Sequence, residues 1–176
     1  MSKFREFYKA DLARYGSGPI PAYIRLFLYF YRHASTSSFA PLRLGYRVLF
    51  RLWANRRGLE ISSMNPIGKG LYLGHAYNIT INPNAKLGCN CNIHRGVLIG
   101  QTNRGRNKGT PTIGNQVWIG INAVIVGNVI IGDDVLIAPN CYVNVDFPSH
   151  SVVFGNPCII KHRDSATEGY VNNVVD

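Results

Sequence analysis

The chain has 176 residues, 46% of them hydrophobic, which is enough apolar material for one folded domain with an accessory segment. Its net charge of +10 is uneven, because residues 1–58 carry eleven bases against two acids and residues 59–176 carry eight against seven. The N-terminal bases stand among large apolar residues rather than on a polar face, and this argues against a nucleic-acid partner.

The N-terminal third, residues 1–58, is predicted to be helical. Three amphipathic stretches, SKFREFYKADLARYG, AYIRLFLYFYRHA and LRLGYRVLFRLWANRRG, are separated by the breaks GSGPIP and STSSFAP. The apolar run within the second stretch contains Arg25 and is too short to span a bilayer. Two interpretations stay open: a cap that buries aromatic side chains against the main body, or a surface whose arginines and aromatics rest on an anionic membrane. The charged start has no apolar core of a secretory signal, so none is expected.

From Glu60 onward, aliphatic residues recur every six positions. A period of six fits neither a helix nor a simple strand, and it predicts short strands joined by tight corners. Three such units make one 18-residue coil of a triangular parallel β-helix, so the chain is predicted to be mainly β, with about five coils between residues 61 and 160. The repeat slips by two residues after Leu73. Its aliphatic positions are Ile61, Ile67, Leu73, Ile81, Leu87, Ile93, Ile99, Ile113, Ile119, Ile125, Ile131, Ile137 and Val143.

The repeat is interrupted once, between Ile99 and Ile113, by eight additional residues. The excursion, residues 101–111, reads QTNRGRNKGTP and carries Arg104, Arg106 and Lys108. A basic, glycine-containing loop on a rigid wall is typical of an active-site lid, and a solvated insertion is the alternative.

The four cysteines indicate neither a zinc site nor a disulfide framework. The CNC motif lacks the spacing of a zinc knuckle, and no second Cys/His pair completes a site. We predict free thiols in a reducing cytosol and no metal.

Residues 60–160 resemble the hexapeptide-repeat acyltransferases, most closely the serine acetyltransferase branch. The resemblance is carried by IGKGLYLGHAYNITI, GVLIG, PTIGNQVWIGINAVIVGNVIIGDDVLIAPN and VVFGNPCII. It implies a left-handed coil, a homotrimer or a dimer of trimers, and acetyl-CoA bound in a groove between neighbouring prisms. The short N-terminal third looks more like the cap of capsule and exopolysaccharide O-acetyltransferases.

The resemblance assigns the chemistry to His75, which aligns with the histidine that acts as general base in serine acetyltransferases. An imidazole has the basicity to take a hydroxyl proton as the oxygen attacks a thioester. The family's partner aspartate lies fifteen residues upstream, where this chain has Glu60. An 18-residue coil independently projects Glu60 onto residue 78, three residues from His75. Alternatively, Glu60 only begins the first coil and pairs with Arg56 or Arg57.

The sequence offers several candidate residues for binding the acceptor. His94 follows one coil later at the same corner and either lines the acceptor pocket or is a solvated edge residue. In serine acetyltransferases the loop ends in a second histidine that holds the serine carboxylate, and this chain has Thr110 there, with Arg106 or Lys108 as substitutes. We therefore predict a sugar or saccharide acceptor, bound with the help of Arg104, Arg106 and Lys108, and keep serine as the alternative.

The resemblance places acetyl-CoA along the later coils. Small residues there allow the pantetheine arm to approach the backbone, and two cations after the last coil suit the phosphates. The implied positions are Gly100, Gly120, Ile121, Ala123, Ala138, Lys161 and Arg163.

The sequence thus predicts an acetyl-CoA-dependent O-acetyltransferase that works by direct attack of a hydroxyl. Its predicted regions are a helical segment at 1–58, a catalytic β-helix at 59–160 and a tail at 161–176. We expect it in the cytoplasm, with attachment to the inner face of the membrane through residues 1–58 as an option. A non-catalytic β-helix, serving as a scaffold or a membrane-associated binding module, is the alternative of another class.

Overall fold

A computed structural model describes residues 2–176, which form three α-helices followed by a three-sided parallel β-helix. The helices are α1 (Lys3–Ala13), α2 (Ala22–Thr36) and α3 (Ala40–Asn55), in the three predicted stretches. The Ser2 side chain caps α1 by accepting a hydrogen bond from the Arg5 amide. No helix within residues 2–176 is both long and apolar enough to cross a membrane.

Short strands form three sheets, which we call faces 1, 2 and 3 in the order in which each coil visits them. Face 1 contains β1 (Leu59–Ile61), β3 (Ile79–Ile81), β6 (Leu98–Gly100), β9 (Val124–Val126) and β12 (Tyr142–Val143). Face 2 contains β4 (Lys86–Leu87), β7 (Thr112–Ile113) and β10 (Ile130–Ile131). Face 3 contains β2 (Tyr72–Gly74), β5 (Asn92–His94), β8 (Trp118–Ile119), β11 (Val135–Ile137), β13 (Ser151–Phe154) and β14 (Ile159–His162).

The strand register confirms the six-residue repeat and its interruptions. On face 3, Leu73 lies opposite Ile93, Ile93 opposite Ile119, and Ile119 opposite Ile137. These steps of 20, 26 and 18 residues are one coil with the slip, one coil with the eight-residue excursion, and one plain coil. Every aliphatic of the repeat is buried inside the prism, because a parallel stack presents the same position of each coil to the axis.

The final coil departs from the repeat. Ile137 lies opposite Val153 and Ile131 opposite Phe147, so this coil has sixteen residues instead of eighteen. β14 then pairs antiparallel with β13 and ends the parallel stacking of face 3. The buried repeat therefore continues past its predicted end at Val143 for two more repeat positions, Phe147 and Val153.

Many corners use left-handed backbone. The corner from face 3 to face 1 contains His75, Asn78, Asn122 and Asn140, all with φ between 51° and 60°. Asparagine and histidine tolerate this region better than most side chains, which explains the asparagines at these turns. His75 is thus held at a sharp bend between two strands.

A buried ion pair attaches the helices to the first coil. The Arg32 guanidinium donates to both Asp11 carboxylate oxygens, at 2.6 and 2.9 Å, and to the carbonyls of Ile67 and Gly68. Asp11 also accepts from the Leu71 amide. Burial alone would lower the pKa of Arg32, and the adjacent Asp11 carboxylate reverses this and raises it. The pair sets the position of α1 and α2, since either charge without the other would be buried unpaired.

The N-terminal third buries three aromatic side chains against the rest of the protein, which is consistent with the cap interpretation, while Phe39 is exposed. Phe27, Tyr31 and Phe50 are nearly inaccessible, and the Tyr31 hydroxyl donates to the Asn65 carbonyl of the first coil. The aliphatic side chains of α3 behave differently, because several of them are exposed.

Residues after β14 fold back along face 3 and its border with face 2. Asp134 accepts hydrogen bonds from the amides of Ala166 and Thr167 and from the Thr167 hydroxyl. Farther along, the Val175 amide donates to the Asn90 side chain. The tail therefore covers part of the wall that the strands leave exposed.

Candidate active site

His75 occupies the corner between β2 and β3, and its imidazole is exposed. Its φ of 55° lies in the left-handed region, which forms the bend between the two strands. Within the described chain, no salt bridge or side-chain hydrogen bond engages this imidazole. An exposed imidazole without a partner on its own chain can accept a proton from a bound hydroxyl.

His94 lies against the same corner, one coil farther on. It stands opposite Gly74, the residue before His75, and a β-carbon at Gly74 would overlap the His94 imidazole. The His94 Nε2 atom is buried and has no hydrogen-bond partner among residues 2–176. Burial, and secondarily the charge of nearby His75, lower the pKa of His94 below its ordinary value. His94 is therefore neutral at neutral pH.

Aromatic side chains surround the His94 ring. The Trp118 ring centroid lies 4.7 Å away and the Tyr72 centroid 6.4 Å away, and Tyr170 of the tail packs edge-on against Trp118 at 5.1 Å. These rings border a crevice of about 270 Å³ on face 3. His94 was predicted from the sequence, whereas Gly74, Tyr72, Trp118 and Tyr170 were not. A signal for Gly74 existed, because its twenty-residue spacing to His94 equals that of Leu73 to Ile93.

Glu60 lies on face 1, where its side chain is exposed. It pairs in register with Thr80, and the Thr80 hydroxyl donates to its carboxylate at 3.4 Å. The projection onto residue 78 was wrong by two residues, because the slip after Leu73 falls between these two coils. Glu60 borders a groove of about 620 Å³ between α3 and face 1, which Gly100 also lines. The pairing of Glu60 with His75 stays a prediction.

The basic loop is a hairpin folded against the wall. Thr102 and Gly109 exchange two backbone hydrogen bonds of 3.0 Å each, and the Asn107 side chain donates to the Asn144 carbonyl at 2.6 Å. Arg104, Arg106 and Lys108 project from it and are exposed. The Thr110 hydroxyl donates to the Asn84 carbonyl, so it serves the attachment of the loop.

The residues implied for acetyl-CoA fall into three places. Gly120, Ile121 and Ala138 follow β8 and β11 at the corner from face 3 to face 1. We call the stack of these corners, which also contains His75, the corner column. Gly100 instead ends β6 on face 1. Ala123 is completely buried, its amide donates to the Gly120 carbonyl and its carbonyl accepts from the Leu98 amide, so the predicted contact of Ala123 with acetyl-CoA is wrong. Lys161 lies on β14 opposite Val152, and the Arg163 amide donates to the His150 carbonyl at the other border of face 3. The structure thus separates Arg163 from the corner column.

Metal binding finds no support in the arrangement. Among residues 2–176 no group of three or more His, Cys, Asp or Glu side chains could hold an ion. All four cysteines are free, and burial raises the pKa of the Cys91 thiol to about 12.

Comparison with known proteins relates this geometry to one class of enzyme. The family described as "Bacterial transferase hexapeptide (six repeats)" matches residues 110–144. A serine acetyltransferase of Helicobacter pylori is 34% identical over 110 residues, which are 62% of this chain and 64% of that protein. The chain thus aligns with just under two thirds of this relative, and with about half of the Staphylococcus aureus serine acetyltransferases.

Solved structures agree in fold. Soybean serine acetyltransferase complexed with serine superimposes with a TM-score of 0.73 and 26% identity, over 90% of this chain and 70% of that one. A Brucella abortus serine acetyltransferase in complex with coenzyme A gives a TM-score of 0.76 at 23% identity, over 92% and 68%. The chain is accordingly a left-handed parallel β-helix with hexapeptide repeats, similar to serine acetyltransferases.

Proposed function

We propose that this hexapeptide-repeat, serine acetyltransferase-like chain is an acetyl-CoA-dependent O-acetyltransferase with His75 as its general base. The observation that carries the proposal is the exposed, unpartnered imidazole of His75 at a corner of a wall that resembles those enzymes. Glu60 is proposed to assist it, His94 to border the acceptor, and the corner column with Gly120 and Ala138 to bind the pantetheine arm.

The proposed reaction is one direct acyl transfer. His75 removes the proton from the acceptor hydroxyl while that oxygen bonds to the thioester carbon. The carbon–sulfur bond then breaks, and the imidazolium returns the proton to the coenzyme A thiolate. Holding both substrates at one corner replaces a bimolecular encounter with an intramolecular step.

Serine is the acceptor that the comparisons favour. The H. pylori relative is named for it, and the soybean neighbour was solved with serine bound. This reverses the order expected from the sequence, in which a saccharide came first.

A saccharide remains the second candidate because of Thr110. That residue replaces the loop histidine that the family resemblance leads one to expect, and its hydroxyl is engaged by Asn84. A serine carboxylate would then depend on Arg104, Arg106 or Lys108 of the hairpin. Placement in the cytoplasm, and contact of residues 1–58 with an anionic membrane, belong to the proposal as well.

The test is thiol release from acetyl-CoA with serine, nucleotide sugars and oligosaccharides as separate acceptors. We expect His75→Asn, which keeps the left-handed bend, to lower turnover by about 10²–10⁴-fold. Glu60→Gln should cost less and leave acetyl-CoA binding by calorimetry nearly intact. His150→Asn is the matched control, since His150 also has a left-handed φ but lies at the border of faces 2 and 3.

Full turnover of His75→Asn at saturating substrate would remove His75 from the mechanism. No thiol release by the parent with any acceptor would instead favour the non-catalytic scaffold.

A further inference from the structure

Helix α3 has an apolar surface on the side that faces away from the protein. Its inner side buries Phe50 and Ala54 against the chain. On the opposite side, Leu44, Val48 and Leu52 follow one another at intervals of four residues, and they are 64%, 54% and 61% exposed. Residues four apart lie on one face of a helix, so these side chains form a continuous stripe. A helix on the surface of a soluble protein normally presents polar residues there.

The stripe extends into a larger patch. Leu42 and Leu49, two turns apart, form a second exposed line beside it, and Phe39 is exposed at the start of α3. From Phe39 to Leu52 the patch is about 20 Å long at 1.5 Å per residue. A contiguous exposed apolar patch of this kind marks a surface that another body covers. We call it the outer face of α3.

The helical segment that carries the outer face is strongly basic, and Glu60 of face 1 is an acid that lines the groove beside Arg47 and Arg51 of α3. Residues 22–58 contain seven arginines and no acid. Of these, Arg32 alone is neutralised by a carboxylate among residues 2–176, the buried Asp11. Arg51 and the residue that caps the end of α3, Arg56, are exposed, and the buried Nε of Arg47 has no hydrogen-bond partner within the described chain. The patch thus combines exposed aliphatic side chains with an excess of positive charge.

We propose that the outer face of α3 lies in the interface of an anionic lipid membrane. Leucine and valine side chains would enter the boundary between headgroups and acyl chains, while the flanking arginines contact lipid phosphates. A second copy of the chain fits less well, because two such faces would bring two sets of unpaired arginines together. A nucleic acid matches the charge but not the aliphatic stripe. This inference rests on the membrane contact of residues 1–58 given in the proposed function, and it is independent of the transfer chemistry, since His75 takes no part in it.

Vesicle flotation of the full chain tests the proposal. We expect the protein to float with vesicles of phosphatidylcholine and phosphatidylglycerol, and to stay behind with phosphatidylcholine alone. Raising NaCl from about 0.05 M to about 1 M should release most of it, as the Debye length shrinks to about 3 Å. Arg51→Gln combined with Arg56→Gln should weaken both the binding and its salt dependence.

The aliphatic contribution needs its own variant. Val48→Glu combined with Leu52→Glu should lower the partition coefficient by at least about tenfold, because two carboxylates would enter the interface. The matched control is Ile159→Glu with Ile160→Glu, which adds the same charge at two exposed isoleucines on β14. All variants should keep the parent's circular dichroism and unfolding midpoint, since the altered side chains are exposed.

Equal flotation of the two glutamate pairs would overturn the proposal, as would equal binding of the parent to both vesicle types. If the parent does not float and Val48→Glu with Leu52→Glu lowers its mass by light scattering, a second copy covers the outer face and the membrane is excluded. Thiol release with a soluble acceptor should be the same in all these variants. A failure of the membrane proposal can therefore be distinguished from a failure of the enzymatic proposal.

Discussion

At the scale of single residues, packing against the next coil determines which histidine at the His75 corner is exposed. Gly74 has no side chain, and the His94 imidazole of the next coil fills that space. His94 in turn is packed between Tyr72 and Trp118, which desolvates it and keeps it neutral at neutral pH. Of the two histidines, only His75 is exposed, which is why the catalytic proposal rests on it.

The contact between Gly74 and His94 leads to a prediction about stability. Gly74→Ala should destabilise the protein by about 1–3 kcal/mol, because the new methyl group overlaps the imidazole. In a His94→Ala background the same change should cost little, so a double-mutant cycle should show strong coupling. Urea unfolding at fixed protein concentration measures both.

Gly45→Ala is the control for the glycine substitution itself. Nothing lies within 4 Å of a β-carbon at Gly45 in α3, so alanine should stabilise by about 1 kcal/mol through helix propensity. Additive effects of Gly74→Ala and His94→Ala would contradict the proposed packing.

At the scale of elements, the C-terminal tail depends on one carboxylate. Asp134 accepts from Thr167 and Ala166 of the tail and pairs with His150 at 2.8 Å. Burial opposes its ionisation, but the hydrogen bonds from Thr167 and His150 prevail and hold the pKa of Asp134 below its ordinary value. The tail is thereby tied to the border between faces 2 and 3.

This arrangement predicts a pH-dependent attachment. A carboxyl whose pKa is lowered by folding stabilises the native state above its unfolded pKa of about 3.9, and that contribution disappears as the pH falls through the folded value. Asp134→Asn tolerates the φ of 53° and should lower the free energy of unfolding by about 1–3 kcal/mol at pH 6. The difference between parent and variant should shrink below about pH 4.

Asp164→Asn serves as the comparison, because the Asp164 side chain is 93% exposed and pairs only with an exposed histidine. It should leave the unfolding free energy nearly unchanged at both pH values. If the difference in unfolding free energy between the parent and Asp134→Asn stays constant from pH 6 to below pH 4, the Asp134 carboxylate is not what attaches the tail.

At the scale of the whole molecule, the prism presents more apolar surface than one chain uses. Ile130 on face 2 and Tyr142 on face 1 are exposed. Flat walls with apolar side chains favour closed cyclic packing of identical chains. A groove between two prisms would also supply the partner that His75 lacks on its own chain.

We therefore predict a trimer, or two trimers joined, at micromolar concentration. Light scattering should give three or six times the 19.6 kDa of one chain. A monomeric mass with full thiol release would show that one prism is sufficient, and would eliminate the shared groove.

The β-helix was predictable from the sequence because its rule is local. Each sixth side chain enters the same narrow interior, so the period, the two-residue slip and the eight-residue excursion all follow from the order of the residues. The helical third was predictable for a related reason, since its breaks and its amphipathic stretches are local features.

Most contacts between coils were decided by the tertiary structure, although the twenty-residue spacing already carried a signal for the pair of Gly74 and His94. The slip before β3 brings Glu60 opposite Thr80 rather than residue 78, and the same slip brings His94 over Gly74. Likewise, both sides of α3 are apolar, so the sequence could not indicate which side is buried, and the position of the helices depends on Asp11 meeting Arg32 and the first coil. The physical reason is common to these cases: a repeat determines what lies inside each coil, whereas contacts across coils depend on the summed lengths of every corner and insertion between them.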